Sequence, residues 1–487
     1  MSELDVLDTP EAGRRVVRGG ALRVAGFVVG IACSVIAAAL VTRHLGTVDY
    51  GRYQTVVALV TIIQAVTDLG MTTLGLREYV QRRGEERTTF MRVLLGLRLA
   101  LTALGIVAAT VAAVVLGYDA EMIAGAALMG LGVMISILAW TLAIPLSAEL
   151  RMGLVTALDL GRQLLTAVAI VVVVLVGGGL IPLLALQIPV SVLLLATTLS
   201  LVRGVMPLRP MFDARRWVTL LRPTVTFSLA TAVGMLYIYA ALVLTELVAS
   251  DHETGLFAAS FRVFVIVGSV PGVLVTTAFP VLSRAARDDR ERLSYAAQRL
   301  FEGCAVLGGA ALVFCVVGAK PIIDIVAGSQ FAGSVPVLRI QGAVLALTFV
   351  IAVWGFTLLA LHRHREMIAV NLVALTVSAV TVLTLASAHG ATGAAVGTLL
   401  GESVLACGYL IALARCGRAL VPRPGRVARA LPALGLALAC LALPVPAIAS
   451  TVLALAVYAT GALLCRAVPD ELTRPLARVL AVRGRGA

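Results

Sequence analysis

Residues 92–116 read RVLLGLRLALTALGIVAATVAAVVL, a run in which only Arg92 and Arg98 are charged. A helix needs about 20 mostly apolar residues to cross the hydrocarbon core of a bilayer, so this run is long enough to span it. Similar runs recur along the chain, at 19–42, 54–76, 121–144, 153–176, 180–202, 222–247, 256–280, 299–318, 332–360, 366–386, 391–413, 428–444 and 448–466. The sequence therefore predicts an all-α polytopic membrane protein with about fourteen transmembrane helices.

The composition excludes other classes of protein. Of the 487 residues, 60% are hydrophobic and 13% are charged, which is too apolar for a soluble domain or a disordered chain. The formal net charge of +13 comes in clusters between apolar runs and does not form one basic face, so we expect no nucleic-acid partner. The seven cysteines include no CxxC pair, and we expect neither a disulfide framework nor a metal site.

The distribution of basic residues predicts the topology. Cytoplasmic loops of membrane proteins carry an excess of Arg and Lys. If both termini are cytoplasmic, most of the 39 basic residues fall on the cytoplasmic side, and the outer loops hold only Arg43, Arg52, Lys320 and Arg339. An extra or missing span would destroy this alternation. The sequence thus predicts an even number of spans, both termini inside the cell and location in the cytoplasmic membrane.

Two stretches six helices apart share a pattern. Gly51 precedes Tyr53 and Gly255 precedes Phe257, each just before a helix that starts on the outer side. An even-numbered repeat keeps its orientation in the membrane, so the two halves would be related by an axis along the membrane normal.

Several short motifs resemble one family. RHLG at 43–46, YGRY at 50–53 and TDLG at 67–70 resemble the opening hairpin of Wzx-type polysaccharide flippases, members of the multidrug/oligosaccharidyl-lipid/polysaccharide (MOP) exporter superfamily. GLFAASFR at 255–262, followed by Pro271 and FPVLSR at 279–284, is similar to that family's eighth helix. Asn371, GATGAA at 390–395 and Glu402 are similar to its eleventh and twelfth helices.

The resemblance implies a domain organisation. Two six-helix bundles, 19–202 and 223–413, would surround a cavity with pseudo-two-fold symmetry and be joined by a cytoplasmic linker, 203–222. Two additional helices would occupy 414–466. Residues 1–18 and the basic tail 467–487 would be cytoplasmic.

The resemblance also implies a function. The protein would move a polyprenyl-pyrophosphate-linked oligosaccharide from the inner to the outer leaflet by alternating access, for cell-surface polysaccharide biosynthesis. Its partners would be this lipid-linked glycan, membrane lipids, a polysaccharide polymerase and glycosyltransferases. Such transport breaks no bond, so we do not expect an enzyme.

Arginines inside spans are the candidate ligands of the pyrophosphate, because the planar guanidinium donates two hydrogen bonds to phosphate at once. Arg262 lies in the segment similar to the family's eighth helix, which places it on a cavity-lining helix. Arg98 and Arg162 are further candidates. The structural alternatives are that Arg262 or Arg98 snorkels to the head groups and that Arg162 forms a self-neutralising pair with Asp159 near the cytoplasmic end of its span.

Two carboxylates lie deeper in their spans. Asp68 and Glu402 need a cation, a proton or an arginine partner inside the membrane. They are candidates for coupling to H⁺ or Na⁺, or for ion pairs that fix helix packing, with Asn371 and Thr398 as possible neighbours of Glu402. On the coupling hypothesis, replacing either carboxylate with Ala impairs transport more than assembly. We expect no other cofactor, since the sequence carries no ATP-binding signature.

Two other readings stay open at this point. The chain could be another MOP transporter, either a lipid II flippase or an antiporter of drugs or other small molecules. More remotely, it could be a membrane enzyme of polysaccharide assembly, although the large outer loop of polymerases and ligases is missing.

Overall fold

The computed structural model describes residues 10–68, 71–149, 151–203, 209–222 and 225–468. Within these ranges every regular element is an α-helix or a short 3-10 turn, and no β-strand occurs. The predicted all-α fold class is therefore confirmed. Of the predicted cytoplasmic ends, residues 1–9 and 469–487 lie outside the described part of the chain.

Many of the helices are suited to a membrane. In the described ranges, nine helices are long and apolar enough to cross a bilayer, and a tenth is added if the pair Arg418–Ala428 and Leu431–Ala442, bent by 47°, forms one span. The chain is thus a multi-pass membrane protein. The exact number of fourteen crossings stays a prediction.

The described residues form two compact units, one from residues 10–45 and 52–235 and the other from residues 46–51 and 236–468. The first unit contains most of α1 (Pro10–Asp68), all of α2 (Met71–Gln81), α3 (Gly84–Val115), α4 (Ala120–Leu142), α5 (Ile144–Ala148), α6 (Met152–Leu175), α7 (Leu180–Ala185), α8 (Gln187–Leu201) and α9 (Ala214–Leu221), and the start of α10. The second unit contains the rest of α10 (Val225–Val248), α11 (Asp251–Asp288), α12 (Arg290–Val317), α13 (Ala319–Val326), α14 (Ser334–Ala360), α15 (His364–Cys416), α16 (Gly425–Ala428), α17 (Leu431–Ala439) and α18 (Ala447–Leu464). The domain boundaries predicted from the sequence stay a prediction.

Two glycines break the longest helices. A straight helix of the 53 residues in α15 would be about 80 Å long, far more than the roughly 30 Å of hydrocarbon it has to cross. Gly390, at φ 56°, bends α15, and Gly46, at φ 72°, bends α1 in the same way. The new helix start at Ala391 is capped from another element, because its backbone N–H donates to Glu253 Oε2 at 2.8 Å.

Some predicted boundaries differ from the observed ones. The predicted span 54–76 is divided between α1 and α2. The predicted span 256–280 is only the middle of α11, which continues through Pro271 and Pro280 to Asp288. Proline does not end a membrane helix when neighbouring groups satisfy the carbonyls that it leaves unbonded. The helix ends instead before Asp289, whose carboxylate accepts hydrogen bonds from the first N–H groups of α12.

Small residues allow helices of the second unit to approach closely. α12, α14 and α15 pack side by side, and α17 and α18 pack on the outside of α12. Gly309 on α12 leaves room for the ring of Tyr458 on α18, whose hydroxyl donates to the Val306 carbonyl at 2.9 Å. Close packing at glycine is the usual way in which helices associate within lipid.

The segment Gly46–Gly51 packs on the first turns of α11 at a contact between two glycines. A Cβ on Gly51 would lie 2.8 Å from the Gly255 nitrogen, and a Cβ on Gly255 would collide with the Thr47 carbonyl. The two copies of the Gly-x-aromatic pattern therefore meet in the structure.

We expect Gly255→Ala to destabilise this contact. The added methyl meets backbone, which cannot rotate away, and overpacking of this kind costs about 1–3 kcal/mol. Gly272→Ala is the matched control, because it lies on the same helix with open space around it. Thermal unfolding of the purified protein should show a lower melting temperature for Gly255→Ala and an unchanged or higher one for Gly272→Ala. Equal melting temperatures would contradict the described contact.

Candidate functional site

An ion pair between a buried arginine and a half-buried aspartate lies in the first unit. The Arg98 guanidinium donates to Asp68 Oδ1 and to Thr141 Oγ1, each at 2.9 Å. The Thr141 hydroxyl donates to the Ile137 carbonyl at 2.7 Å, so its lone pair is available to Arg98. Arg98 is 4% exposed, so its guanidinium is enclosed by protein. Arg98 therefore does not snorkel to the head groups, and one of its terminal nitrogens is already bonded to Asp68.

A second charged cluster lies on α6. Arg162 donates to Asp159 Oδ1 at 3.0 Å, and Gln163 donates to Asp159 Oδ2 at 2.8 Å. The predicted pair is therefore present. Asp159 lies about 10 Å and Arg162 about 15 Å along α6 from Met152, in a helix about 36 Å long.

The cluster on α6 belongs to a polar stripe. Thr156, Asp159, Arg162 and Thr166 follow the spacing of one helix face, and all four are half-buried. Other faces of α6 expose apolar side chains, at Leu164, Val168, Val172 and Leu175. Charged groups at this depth face a water-filled cavity or the interior of the bundle and avoid lipid. The stripe therefore faces away from lipid.

In the second unit a single carboxylate is enclosed by hydroxyl groups. Glu402 on α15 is 5% exposed. The Tyr237 hydroxyl donates to Glu402 Oε2 and the Thr348 hydroxyl to Glu402 Oε1, each at 2.7 Å. Tyr237 and Thr348 were not predicted. The tyrosines of an apolar run, Tyr237 and Tyr239, were the available signal, but the sequence does not show which helices face one another.

The predicted neighbours of Glu402 lie differently. Asn371 is buried and donates to the Tyr409 hydroxyl at 3.1 Å, and Tyr409 lies close enough to Glu402 to interact with it electrostatically. Asn371 thus belongs to the same polar region through Tyr409. Thr398 donates to the Ala394 carbonyl of its own helix at 2.9 Å, so no described hydrogen bond joins it to Glu402.

Arg262 lies on α11 among buried residues. It is half-buried, whereas residues 254–261 of the same helix are buried. It interacts electrostatically with Tyr239, whose ring meets Phe261 edge-on at 5.7 Å between centroids. The exposed apolar side chains of this helix that would face lipid, such as Val273 and Val281, lie farther along it.

Comparison with protein-family models shows the family of this chain. A model of the family described as polysaccharide biosynthesis protein matches residues 40–336, more than half of the chain. The chain belongs to this family. No curated protein matches the chain in sequence.

Solved structures of MOP transporters share the fold of this polysaccharide biosynthesis protein. The lipid II flippase MurJ, in an inward closed conformation, is 11% identical, with 95% of this chain and 100% of that chain covered and a TM-score of 0.73. An inward-facing MATE-family multidrug resistance transporter is 16% identical, with 79% and 93% covered and a TM-score of 0.65. A MOP superfamily transporter from Pyrococcus furiosus is 14% identical, with 82% and 95% covered and a TM-score of 0.58.

Family and fold together confirm the predicted resemblance to Wzx-type flippases. The polysaccharide biosynthesis family and the MOP transporter fold are those expected of a Wzx-type flippase. The chain is thus a multi-pass membrane protein of the polysaccharide biosynthesis family with the fold of MOP transporters. The family and the fold are those of transporters and flippases.

Proposed function

We propose that this protein is a flippase that moves a polyprenyl-pyrophosphate-linked oligosaccharide from the inner to the outer leaflet of the cytoplasmic membrane. Membership of the polysaccharide biosynthesis family supports this substrate class. The observation that carries the proposal is the half-exposed pair of Arg162 and Asp159 inside a helix that is long and apolar enough to cross the membrane. Both termini lie in the cytoplasm, in accord with the distribution of basic residues.

A lipid-linked glycan needs a polar path for its head group. Sugars and pyrophosphate would cost several kcal/mol for each unpaired polar group in hydrocarbon. The stripe on α6 supplies such a path, while the polyprenyl tail remains in lipid. The flippase thus recognises and moves its substrate without breaking a bond.

Arg162 is the proposed phosphate ligand of the first unit. A guanidinium carries five N–H donors, and Asp159 accepts from one terminal nitrogen of Arg162 at 3.0 Å. The guanidinium can therefore bind phosphate while it stays next to Asp159. The neighbouring carboxylate weakens phosphate binding, which favours release of the substrate on the other side.

Arg262 is the proposed phosphate ligand of the second unit. It is half-buried on α11, and the lipid-exposed side chains of that helix lie elsewhere. Arg98, in contrast, is fully buried and bonded to Asp68 and Thr141. We therefore assign phosphate binding to Arg162 and Arg262 and a structural role to Arg98.

Glu402 is the proposed coupling group, and its ion is H⁺. The Thr348 oxygen lies 2.7 Å from Glu402 Oε1 and 3.0 Å from the Val344 carbonyl, and its hydroxyl has one hydrogen. When Glu402 is ionised, Thr348 donates to it. When Glu402 is protonated, it donates to Thr348, which donates to Val344. The site thus accepts either protonation state without moving a heavy atom.

The flippase acts between synthesis and polymerisation of the repeat unit. Its proposed partners are the lipid-linked glycan and membrane lipids, with glycosyltransferases supplying the substrate and a polysaccharide polymerase using the product.

The α6 pair provides the test. In liposomes containing a fluorescent polyprenyl-pyrophosphate-linked oligosaccharide, we expect Arg162→Ala to slow transfer between leaflets by about 10-fold or more, since a hydrogen bond to a charged group contributes about 1.5–3 kcal/mol. Arg162→Lys should lie between Ala and the wild type, because it keeps the charge and loses the planar fork. Arg262 variants should follow the same order. Mass spectrometry of the recovered lipid should show no covalent change.

The matched control is Arg151→Ala. Arg151 forms an exposed ion pair with Glu149 just before α6, and its loss should leave transfer unchanged. Transfer of lipid II in preference to the oligosaccharide would replace our substrate with that of a lipid II flippase. Export of a cationic dye without lipid transfer would indicate a drug antiporter. Full activity of Arg162→Ala would contradict the assigned role.

A further inference from the structure

The connection before α9 is fixed at the edge of the membrane. The backbone N–H of Met211 donates to the Arg92 carbonyl at 2.8 Å, and Arg92 Nε donates to the Arg209 carbonyl at 3.1 Å. Gly96 allows this close approach, because a Cβ there would collide with the Met211 carbonyl. Residues 92–96 begin the apolar run 92–116. The segment from Arg209 to Asp213 therefore lies where α3 enters the bilayer.

One face of α9 packs against the first unit. Trp217, Leu220 and Leu221 contact a buried cluster formed by Met71, Leu74, Tyr79, Phe90, Met91, Leu94, Leu97 and Ile144. The Asp213 carboxylate caps the helix by accepting from the Arg215 and Arg216 N–H groups. The orientation of this short helix is thus set from both ends.

A second apolar surface on α9 remains exposed. Phe212 is 65% exposed and Val218 is 64% exposed. Phe212 meets the Trp217 ring at 6.0 Å between centroids, so the exposed and packed aromatic side chains are continuous. Arg215 and Arg216 are exposed on the remaining faces, and Arg216 pairs with Asp213 at 3.2 Å. Apolar and basic side chains therefore flank each other at the depth of the lipid head groups.

We propose that α9, together with Phe212, is an interfacial helix that binds the head groups of anionic phospholipids. Phe212 and Val218 would enter the boundary of the acyl chains, and Arg215 and Arg216 would contact phosphate. Two exposed apolar side chains are too few for a stable protein interface, which buries about 800 Å² on each partner. Helices with this mixture of faces lie in the membrane plane and bind anionic lipid. This inference uses one part of the proposed function, the location of both termini in the cytoplasm. That orientation places α9 on the cytoplasmic side, where anionic lipids are abundant.

Native mass spectrometry of the whole purified protein tests the proposal. The probes are phosphatidylglycerol, which is anionic, and phosphatidylcholine, which has no net charge. We expect the wild type to retain phosphatidylglycerol in preference. Arg215→Gln and Arg216→Gln should each weaken phosphatidylglycerol binding by about fivefold, with little effect on phosphatidylcholine. Phe212→Ser combined with Val218→Ser should weaken the binding of both lipids.

The matched control changes two exposed arginines elsewhere, Arg287→Gln and Arg290→Gln. It removes the same charge and should leave the preference for phosphatidylglycerol in place. The proposal is overturned if the wild type does not prefer phosphatidylglycerol, or if Arg215→Gln and Arg216→Gln bind it as well as the wild type does. It is also overturned if the control loses as much phosphatidylglycerol binding as the combined variant Arg215→Gln with Arg216→Gln. The measurement involves no glycan, so its outcome is independent of the proposed transport activity.

Discussion

Asp68→Ala is expected to destabilise the first unit by about 1–3 kcal/mol, the cost of leaving a buried group without one of its hydrogen-bond partners. Arg98 is 4% exposed, and Asp68, whose side chain is 35% exposed, is its carboxylate partner at 2.9 Å. Without Asp68, a guanidinium that is always charged stays enclosed by protein and loses this charged partner, while Thr141 still accepts from it. The yield of folded protein and its melting temperature in detergent should both fall.

Two further variants separate charge from packing. Asp68→Leu combined with Arg98→Leu removes both charges, and it should recover most of the stability that Asp68→Ala loses, because a buried pair contributes little over an apolar pair of similar volume. Glu78→Ala breaks the partly exposed pair with Arg82 and should cost about 0–1 kcal/mol. If Asp68→Ala melts at the wild-type temperature, Arg98 has a different counter-charge and the structural role is wrong. The expectation that Asp68→Ala impairs transport more than assembly is therefore replaced by the opposite one.

The helices could be predicted because their signal is local. Each apolar run is long enough to show its span by itself, and basic clusters separate the runs. The predicted ends of the helices were less accurate than their positions along the chain. Nothing in the composition of residues 256–280 shows that α11 continues for two turns beyond Pro280, since this depends on capping by Asp289 and on neighbouring helices.

The contacts of the polar side chains could not be predicted. In a soluble helix the apolar face shows which side is buried, but the spans here are apolar on most faces. Asp68, Arg98 and Thr141 come from three helices, as do Tyr237, Thr348 and Glu402. Their separation along the chain carries no sign of their proximity. The pair of Asp159 and Arg162 could be predicted, because residues three apart on one helix are always neighbours.

The depth of that pair could be read from the sequence, because the predicted span 153–176 and the helix α6, Met152–Leu175, nearly coincide. Charges inside an apolar span are costly, and this cost favours the proposed role in substrate binding over simple neutralisation.

Glu402→Gln is expected to abolish the response of transport to a pH gradient while leaving the fold intact. Gln has nearly the same shape as Glu. Its carbonyl oxygen can accept from Tyr237, and its amide can donate to the Thr348 oxygen, which then donates to Val344. Both hydroxyls therefore keep a partner, and the melting temperature should stay close to that of the wild type. The amide neither binds nor releases a proton, so a gradient has nothing to act on.

The measurement compares liposomes with and without an inward-directed proton gradient, using the same fluorescent lipid-linked oligosaccharide. The wild type should transfer lipid faster with the gradient, and Glu402→Gln should transfer it at the same rate in both conditions. Glu302→Gln is the matched control: Glu302 is also a buried carboxylate of the second unit, but it pairs with Arg299 of the same helix at 2.9 Å. It should lose stability and keep its response to the gradient. A gradient response in folded Glu402→Gln would show that the coupling proton binds elsewhere, and Glu402 would then serve only to hold Tyr237 and Thr348 in place. If a sodium gradient accelerates the wild type and a proton gradient does not, the two hydroxyls and the carboxylate are ligands of a cation and the protonation scheme fails.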